Sequence, residues 1–430
     1  MSFLIYFKFT GNMKNAIAIR RETKNKWERR VPLTPLAVES IIKDSYPISV
    51  QSSEVRIFPD QDYVKAGATL CDSTNFSDVV LGIKEPPLDT ICENQTHLCF
   101  SHTIKGQPYN MEMLKAFIDK KCTLIDYEPM IDDEGKRVAA VFSVFAGISG
   151  TVETLRVYSQ KQKLRNKNTC LEKLKAPLEY QRLAVMRDEL RAFSPFNENL
   201  RIVVVGGEGN VSKGCMMVLN DLGIERIEPS SVLDNTSSGP WYAVLDIKDI
   251  VASRDGSEFN LNNYLALGLG AYESRFEDYL GSFDILLQGA YWDEKYPRQI
   301  THETIEKYGD KLPDVIGDIS CDIDGAIQTT TRSTSIDNPS YTLNTTTREE
   351  VDGVTLSGPT TMAIDNLPCE LPADASDEFS KLLSRSISYL SSFDRNKSFE
   401  ECGLSRELMS GTILYKGEFT PPFKYMERFV

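Results

Sequence analysis

Lys84 and His102 each close a short apolar run in the segment VVLGIKEPPLDTICENQTHLCFSHT. A lysine and a histidine that share a pocket can divide acid and base roles. The runs VVLGIK and THLCFS read as two buried strands, and parallel strands of an α/β sheet present their C-terminal ends to a common crevice where ligands bind. Burial and mutual repulsion push both proton affinities toward neutrality, which suits chemistry on an amine or a carbonyl. Taken singly, the two residues say little. A lysine before Pro-Pro is usually solvated, and a histidine after a strand is usually structural and half-buried. The chain has three histidines, His97, His102 and His302, and His97 falls inside its strand, where it reads as structural.

The elements that must position this pair form a βα series. AIAIR at 16–20, PISVQS, VVLGIK, THLCFS and CTLIDYE read as strands. Helices are expected from Thr34, with Pro35 at the first position, and over NMEMLKAFIDKK. From about Ile148 to Phe193 the composition turns helical and charged, as interdomain helices do. A second series starts at RIVVVGGEGNVSKG, continues through ERIEPSS, FDILLQGAYW and DVIGDISCD, and closes before a helical tail from about Leu367. With 430 residues the chain exceeds the roughly 250–300 residues at which a single core stops growing. The expected fold is α/β: two Rossmann-like domains with mainly parallel sheets around a central cleft. A substrate and catalytic domain is expected from residues 13–147 plus 365–430, and a nucleotide-binding domain from 148–364, with 148–200 as its helical linker.

The second series opens on a dinucleotide signal. The apolar strand Ile202 to Val205 runs into Gly206, Gly207, Glu208 and Gly209, then into a helix beginning Asn210, Val211, Ser212, Lys213. Gly207 would permit the tight turn and Gly209 the close approach of backbone to pyrophosphate, whose charge the helix N-terminus would meet, with Lys213 as an added cation. Ser212 replaces the third glycine of GxGxxG, with Gly214 two residues later, and serine is small enough for helix-to-strand packing. Glu228 ends the next strand about 20 residues on, where an acidic side chain usually holds a ribose hydroxyl.

Composition narrows the function classes. A formal charge of −14 argues against a nucleic-acid partner, because phosphate binding draws on clustered Lys and Arg. Nine cysteines without CxxC or CxxH spacing read as reduced thiols rather than disulfides or a zinc site, so a reducing compartment is expected. The start, MSFLIYFKFTGNMKN, is interrupted by Lys8, too short to span a bilayer, and without a cleavage site or an Arg-rich presequence pattern. With Met13 as an alternative start, the cytoplasm is the expected location and the mitochondrion the alternative. No membrane partner is expected.

AIRRETKNKWERRVPLTP, VLGIKEPP, FSHTIKGQ, LIDYEPMIDDEGKRVAA, GEGNVSKG, GDISCDIDGAI and IDNLPCELP together resemble the lysine-ketoglutarate reductase part of the aminoadipic semialdehyde synthases, over nearly the whole chain from about Asn15. A more distant resemblance runs to the lysine-forming saccharopine dehydrogenases and alanine dehydrogenase, which share a two-domain layout and an IKEP-like segment. The resemblance implies that the ε-amine of lysine condenses with 2-oxoglutarate and that a nicotinamide hydride reduces the imine to saccharopine, or the reverse. No metal is required. It also implies that Lys84 and His102 are the acid and base pair, that Glu85 and Glu128 lie near the substrate amine, and that Asp322 is a cleft aspartate from the second domain.

Both substrates carry carboxylates, which a guanidinium binds bidentately. Arg30, which matches the arginine of the family's RVALTP-like segment, is the expected clamp, and Arg20, ending the first strand, is the second candidate. Arg21 and Arg29 are expected to be solvated. The expected coenzyme is NADPH, as in relatives with a similar EP segment; NADH is the alternative, because Glu228 implies a free ribose hydroxyl. No glutamate-forming saccharopine dehydrogenase half follows Val430, so a separate enzyme of that activity is the expected partner. Two rival readings remain, an alanine-dehydrogenase-like amino acid dehydrogenase and a non-catalytic nucleotide-binding relative. The second is motivated by RVAAVFSVFAG, where an extra residue and Ser143 in place of a glycine imply a register change in a hinge segment.

Overall fold

The computed structural model describes residues 14–194, 196–233 and 239–430, so the start segment read for a leader, with Met13, lies outside the described residues. Short runs of β-branched residues bounded by turn formers fold as strands because they fit a pleated, half-buried surface. Ile17–Ile19 (β1), Ile48–Gln51 (β2), Thr69–Cys71 (β3), Val79–Leu81 (β4), Thr96–Cys99 (β5) and Thr123–Asp126 (β6) pair in parallel in the order β3, β2, β1, β4, β5, β6. Residues of β1, β4 and β5 are buried throughout, as expected of strands covered on both faces. Thr34 starts the Pro35–Lys43 helix by accepting the Ala37 amide, and Pro35 sits where its missing N–H costs nothing.

The second sheet is built from Arg201–Val205 (β7), Glu225–Ile227 (β8), Trp241–Leu245 (β9), Ile285–Gln288 (β12), Val315–Asp318 (β13), Ser340–Leu343 (β14), Glu350–Asp352 (β15) and Thr360–Met362 (β16). Val251–Ser253 (β10) and Tyr272–Ser274 (β11) form a separate antiparallel pair. The order in the second sheet is β8, β9, β7, β12, β13, β16, β14, β15, parallel as far as β16 and antiparallel beyond it. β9 was absent from the sequence reading. It lies directly beside β7, with Ile202 opposite Tyr242 and Val204 opposite Val244, and so moves β8 to the outer edge.

The tail corrects a second expectation. After the helices Pro372–Leu383 and Ile387–Ser392 the chain returns to the first sheet as Thr412–Tyr415 (β17), antiparallel to β6, and Glu418–Phe419 (β18). Ile413, Leu414, Phe423 and Met426 share one buried core with Leu114, Phe117 and Leu124. By contacts the chain forms two units, Met1–Val141 with Pro372–Val430, and Phe142–Leu371. The segment containing Ser143 forms the first turns of the Val141–Leu164 helix, at whose start the boundary between the two units falls. Among the described residues that helix is the one long and apolar enough to cross a membrane, and 67% of its apolar window is buried inside the protein, as in a core helix.

Candidate active site

Lys84 follows β4 by way of Gly82 and Ile83, and its backbone is gripped from both sides. Glu22 accepts the amides of Ile83 at 2.7 Å and Lys84 at 3.0 Å, while the Arg20 guanidinium donates to the Lys84 carbonyl. Arg20 and Glu22 also pair with each other at 3.3 Å. A Cβ on Gly82 would stand 2.3 Å from Arg20 Nε, so only glycine lets the guanidinium lie there. The Lys84 side chain is buried, with its Nζ 5.9 Å from the centre of the Phe100 ring. Burial pushes its proton affinity down, the Arg30 guanidinium pushes it further, and Glu28 and Glu85 pull back only in part.

His102 also lies against Phe100, the two rings stacked with centroids 6.4 Å apart. Its Nδ1 meets Glu85 Oε1 at 2.6 Å, and Lys24 Nζ lies 3.4 Å from both Glu85 oxygens. Burial by itself would raise the Glu85 carboxyl; the hydrogen bond and charge of His102, with Lys24, outweigh it and hold the group well below the usual carboxylate range. The turn carrying His102 is tied down by Asp126, which accepts the Ser101 amide at 3.1 Å and the Ser101 hydroxyl. Asn110 donates to Ser101 and His102 carbonyls and to Glu85. Glu22, Glu28, Asn110 and Asp126 were all missed from the sequence. The first two lie inside RRETKNKWERR, where alternating charge was the available signal.

The other expected residues are placed as follows. Arg30 is buried and forks onto Glu28 through Nε at 2.8 Å and a terminal nitrogen at 2.6 Å, so the expected clamp already holds a carboxylate of the protein. Arg20 is likewise committed to Glu22 and to Lys84. Glu128 is half-buried just past β6; its amide donates to Asp126 at 2.8 Å, and among the described residues no bond joins its carboxylate to Lys84, Glu85 or His102. Asp322 belongs to the other unit, in the turn after β13. That turn is anchored by Asp318, which accepts from Ser320 and Thr330 at 2.7 Å and from the Cys321 amide at 3.0 Å. His97 is a buried ring on Gln95, held neutral by burial that pushes it down to about 3. No group of three or more His, Cys, Asp or Glu is arranged for a metal among the described residues.

The glycine turn fits a dinucleotide's pyrophosphate. Gly206 and Gly207 take φ of 142° and 54°, which side chains resist, and a Cβ on Gly206 would stand 2.7 Å from Ser212 Oγ. The Ser212 hydroxyl is buried and has no hydrogen-bond partner among the described residues. Gly209 needs no special φ; it stands at the N-cap of the Asn210–Asp221 helix, whose N-terminus offers the positive end of the helix dipole. Val211 packs on Gly289, and Lys213 is exposed. Glu228 is displaced from its expected role. It follows β8, the outer strand, so β9 separates it from the turn. Asp246, which follows β9, takes the adjacent position: a Cβ on Gly207 would stand 2.9 Å from its carboxyl carbon, and the Gly206 and Gly207 amides both donate to Leu245 at 3.1 Å.

Residues 18–149 match the alanine dehydrogenase/PNT, N-terminal domain family. The chain is 29% identical to the mitochondrial alpha-aminoadipic semialdehyde synthase of Mus musculus, over 96% of this chain and 48% of that protein. It is 30% identical to the alpha-aminoadipic semialdehyde synthase of Arabidopsis thaliana, over 98% and 42%. It thus spans about half the length of these relatives. The saccharopine dehydrogenase (NAD(+), L-lysine-forming) of Neurospora crassa is 28% identical, over 86% of this chain and 89% of that one. Of solved structures, an L-alanine dehydrogenase superposes with a TM-score of 0.64 at 16% identity, over 96% of this chain and all of that one (100%). A Sinorhizobium meliloti transhydrogenase follows at 0.58 and 13%, over 94% and 100%. The structural likeness carries the fold, a pair of Rossmann-like α/β domains, and the sequence matches make the chain a homologue of the aminoadipic semialdehyde synthases and the L-lysine-forming saccharopine dehydrogenases.

Proposed function

We propose that this chain is a nicotinamide-dependent oxidoreductase interconverting L-lysine plus 2-oxoglutarate with saccharopine. The observation that carries the reading is the 2.6 Å Glu85–His102 contact beside the buried Lys84, the lysine Nζ and the His102 ring lying 5.9 Å and 6.4 Å from the centre of the same Phe100 ring. A carboxylate only accepts, so His102 Nδ1 holds its proton and Nε2 is left to exchange one. Condensation joins the lysine ε-nitrogen to the 2-oxo carbon, moves a proton from nitrogen to oxygen, and then expels water to leave the imine. His102 Nε2 takes the amine proton. Lys84, whose ammonium form is disfavoured by burial and by Arg30, protonates the departing hydroxyl. Loss of water leaves the nitrogen its remaining proton, as the protonated imine; Gly206, Gly207 and Gly209 would hold a reduced nicotinamide, which would supply the hydride that turns it into the secondary amine.

Arg30 is proposed to act from within its pair with Glu28, tuning Lys84, rather than as a free carboxylate clamp. Arg20 acts on the Lys84 backbone, and Glu128 and Asp322 stay proposed substrate contacts by resemblance alone. For the coenzyme, the Asp246 carboxylate beside the turn suits a ribose hydroxyl and repels a 2′-phosphate, so we place NADH ahead of NADPH. The cytoplasm stays the proposed location, which cell fractionation tests. Purified protein with lysine, 2-oxoglutarate and each reduced coenzyme should consume the nicotinamide absorbance only when both substrates are present. Turnover with ammonium and pyruvate instead would place it with the amino acid dehydrogenases, and coenzyme binding without turnover would make it a non-catalytic relative.

A further inference from the structure

Asn110 closes the Pro108–Asn110 3-10 turn, which runs directly into the Met111–Asp119 helix and takes up the Met111 amide, so the buried Asn110 side chain makes no cap bond. Its Nδ2 instead reaches the Ser101 carbonyl at 2.8 Å, Glu85 Oε1 at 3.1 Å and, more weakly, the His102 carbonyl at 3.4 Å. Oε1 is the same oxygen that meets His102 Nδ1. The two carbonyls bracket His102, whose backbone takes a left-handed φ of 48°, a conformation that persists in a non-glycine residue only when its surroundings impose it. The side chain thus directs its donors to the loop that carries His102 and to the carboxylate that meets the imidazole.

We propose that Asn110 is the positioning residue of the Glu85–His102 pair: one amide sets the rotation of the carboxylate and the path of the backbone through His102, and thereby the direction of Nε2. This rests on the reading that His102 moves protons. Serine and aspartate both cap helices, but serine is too short to reach Glu85 and aspartate has no proton to give it. Asn110→Ser and Asn110→Asp should therefore lower the melting temperature modestly, through the acceptors left unpaired, while kcat falls roughly tenfold or more in protein still folded at the assay temperature, because the reacting atom is misaimed. The KM for 2-oxoglutarate should hardly change. In protein labelled with heavy nitrogen at its three histidines, the hydrogen-bonded Nδ1 proton of His102 should shift or vanish. Wild-type kcat together with an unmoved imidazole proton in either variant overturns the proposal, as does a kcat loss matched by lost stability with that proton unmoved. If the wild type does not turn over lysine, the functional reading fails by itself and the imidazole proton alone decides the role of Asn110.

Discussion

Lys84 owes its tuning to two separate acts of the protein. Glu22 and Arg20 hold its backbone, so the side chain enters the interior from a fixed point, and burial beside Arg30 then weakens its hold on a proton. Neither act alone would serve, because a mobile lysine escapes to solvent and an unburied one keeps its usual affinity. Lys84→Met retains the buried apolar stem and removes only the exchangeable proton. Turnover should fall about 10²-fold or more with the coenzyme dissociation constant unchanged, read by steady-state kinetics and by fluorescence titration. Wild-type turnover would end the role assigned to this lysine.

Among the elements, two contacts fix the helix that follows the dinucleotide turn. The Val141–Leu164 and Asn210–Asp221 helices touch backbone to backbone: a Cβ on Gly147 would stand 2.0 Å from the Val211 carbonyl, and one on Gly214 would stand 2.2 Å from the Val144 carbonyl. The glycine displaced from the expected GxGxxG position thus serves helix-to-helix packing, while Ser212 packs over Gly206. Gly214→Ala forces the helices apart and should cost roughly 1–3 kcal/mol, with a fall in melting temperature and weaker coenzyme binding. Unchanged values for both would show that the contact yields easily. After β13, burial pushes the Asp318 carboxyl up to about 6. Its unfolded value is about 3.9, so the folded chain binds the extra proton between these two, and the stability this group contributes is fully present below the lower value and lost as pH rises through the upper one. Asp318→Asn should flatten the change in melting temperature between about pH 4 and pH 6, a loss on the order of 3 kcal/mol in the wild type. An unaltered pH profile would assign the change to other groups.

At the scale of the molecule, the first unit is assembled from the two ends of the described chain. β17 covers the edge of β6, and Ile413, Leu414, Phe423 and Met426 complete the core around Phe117. Fully burying four such side chains is worth roughly 1.5–3 kcal/mol each, which together approaches the 5–15 kcal/mol that stabilises a typical domain. Removing residues 405–430 should therefore unfold this unit, measured as lost near-ultraviolet circular dichroism and rapid proteolysis of the 14–141 segment. A truncated chain that kept a cooperative transition there would show that the unit does not depend on its returning strands.

Much of this was legible before any coordinates. IAI, VVL, THLC and the RIVVV–glycine turn announce themselves through short-range pattern, and so do Thr34–Pro35 and the positions of Lys84 and His102 just past two strands. Glu85 as the partner of His102, Asn110 reaching the Ser101 carbonyl and Glu85, Asp246 in the place expected of Glu228, and the return of β17 to β6 were not legible. Each depends on which distant segments become neighbours. Periodicity and turn chemistry act over a few residues, whereas the entropy of closing a loop grows only as the logarithm of its length, so local signals leave several strand orders nearly equal in cost. Side-chain packing in the assembled sheets selects one of them, and that selection puts β9 against β7 and a carboxylate against an imidazole.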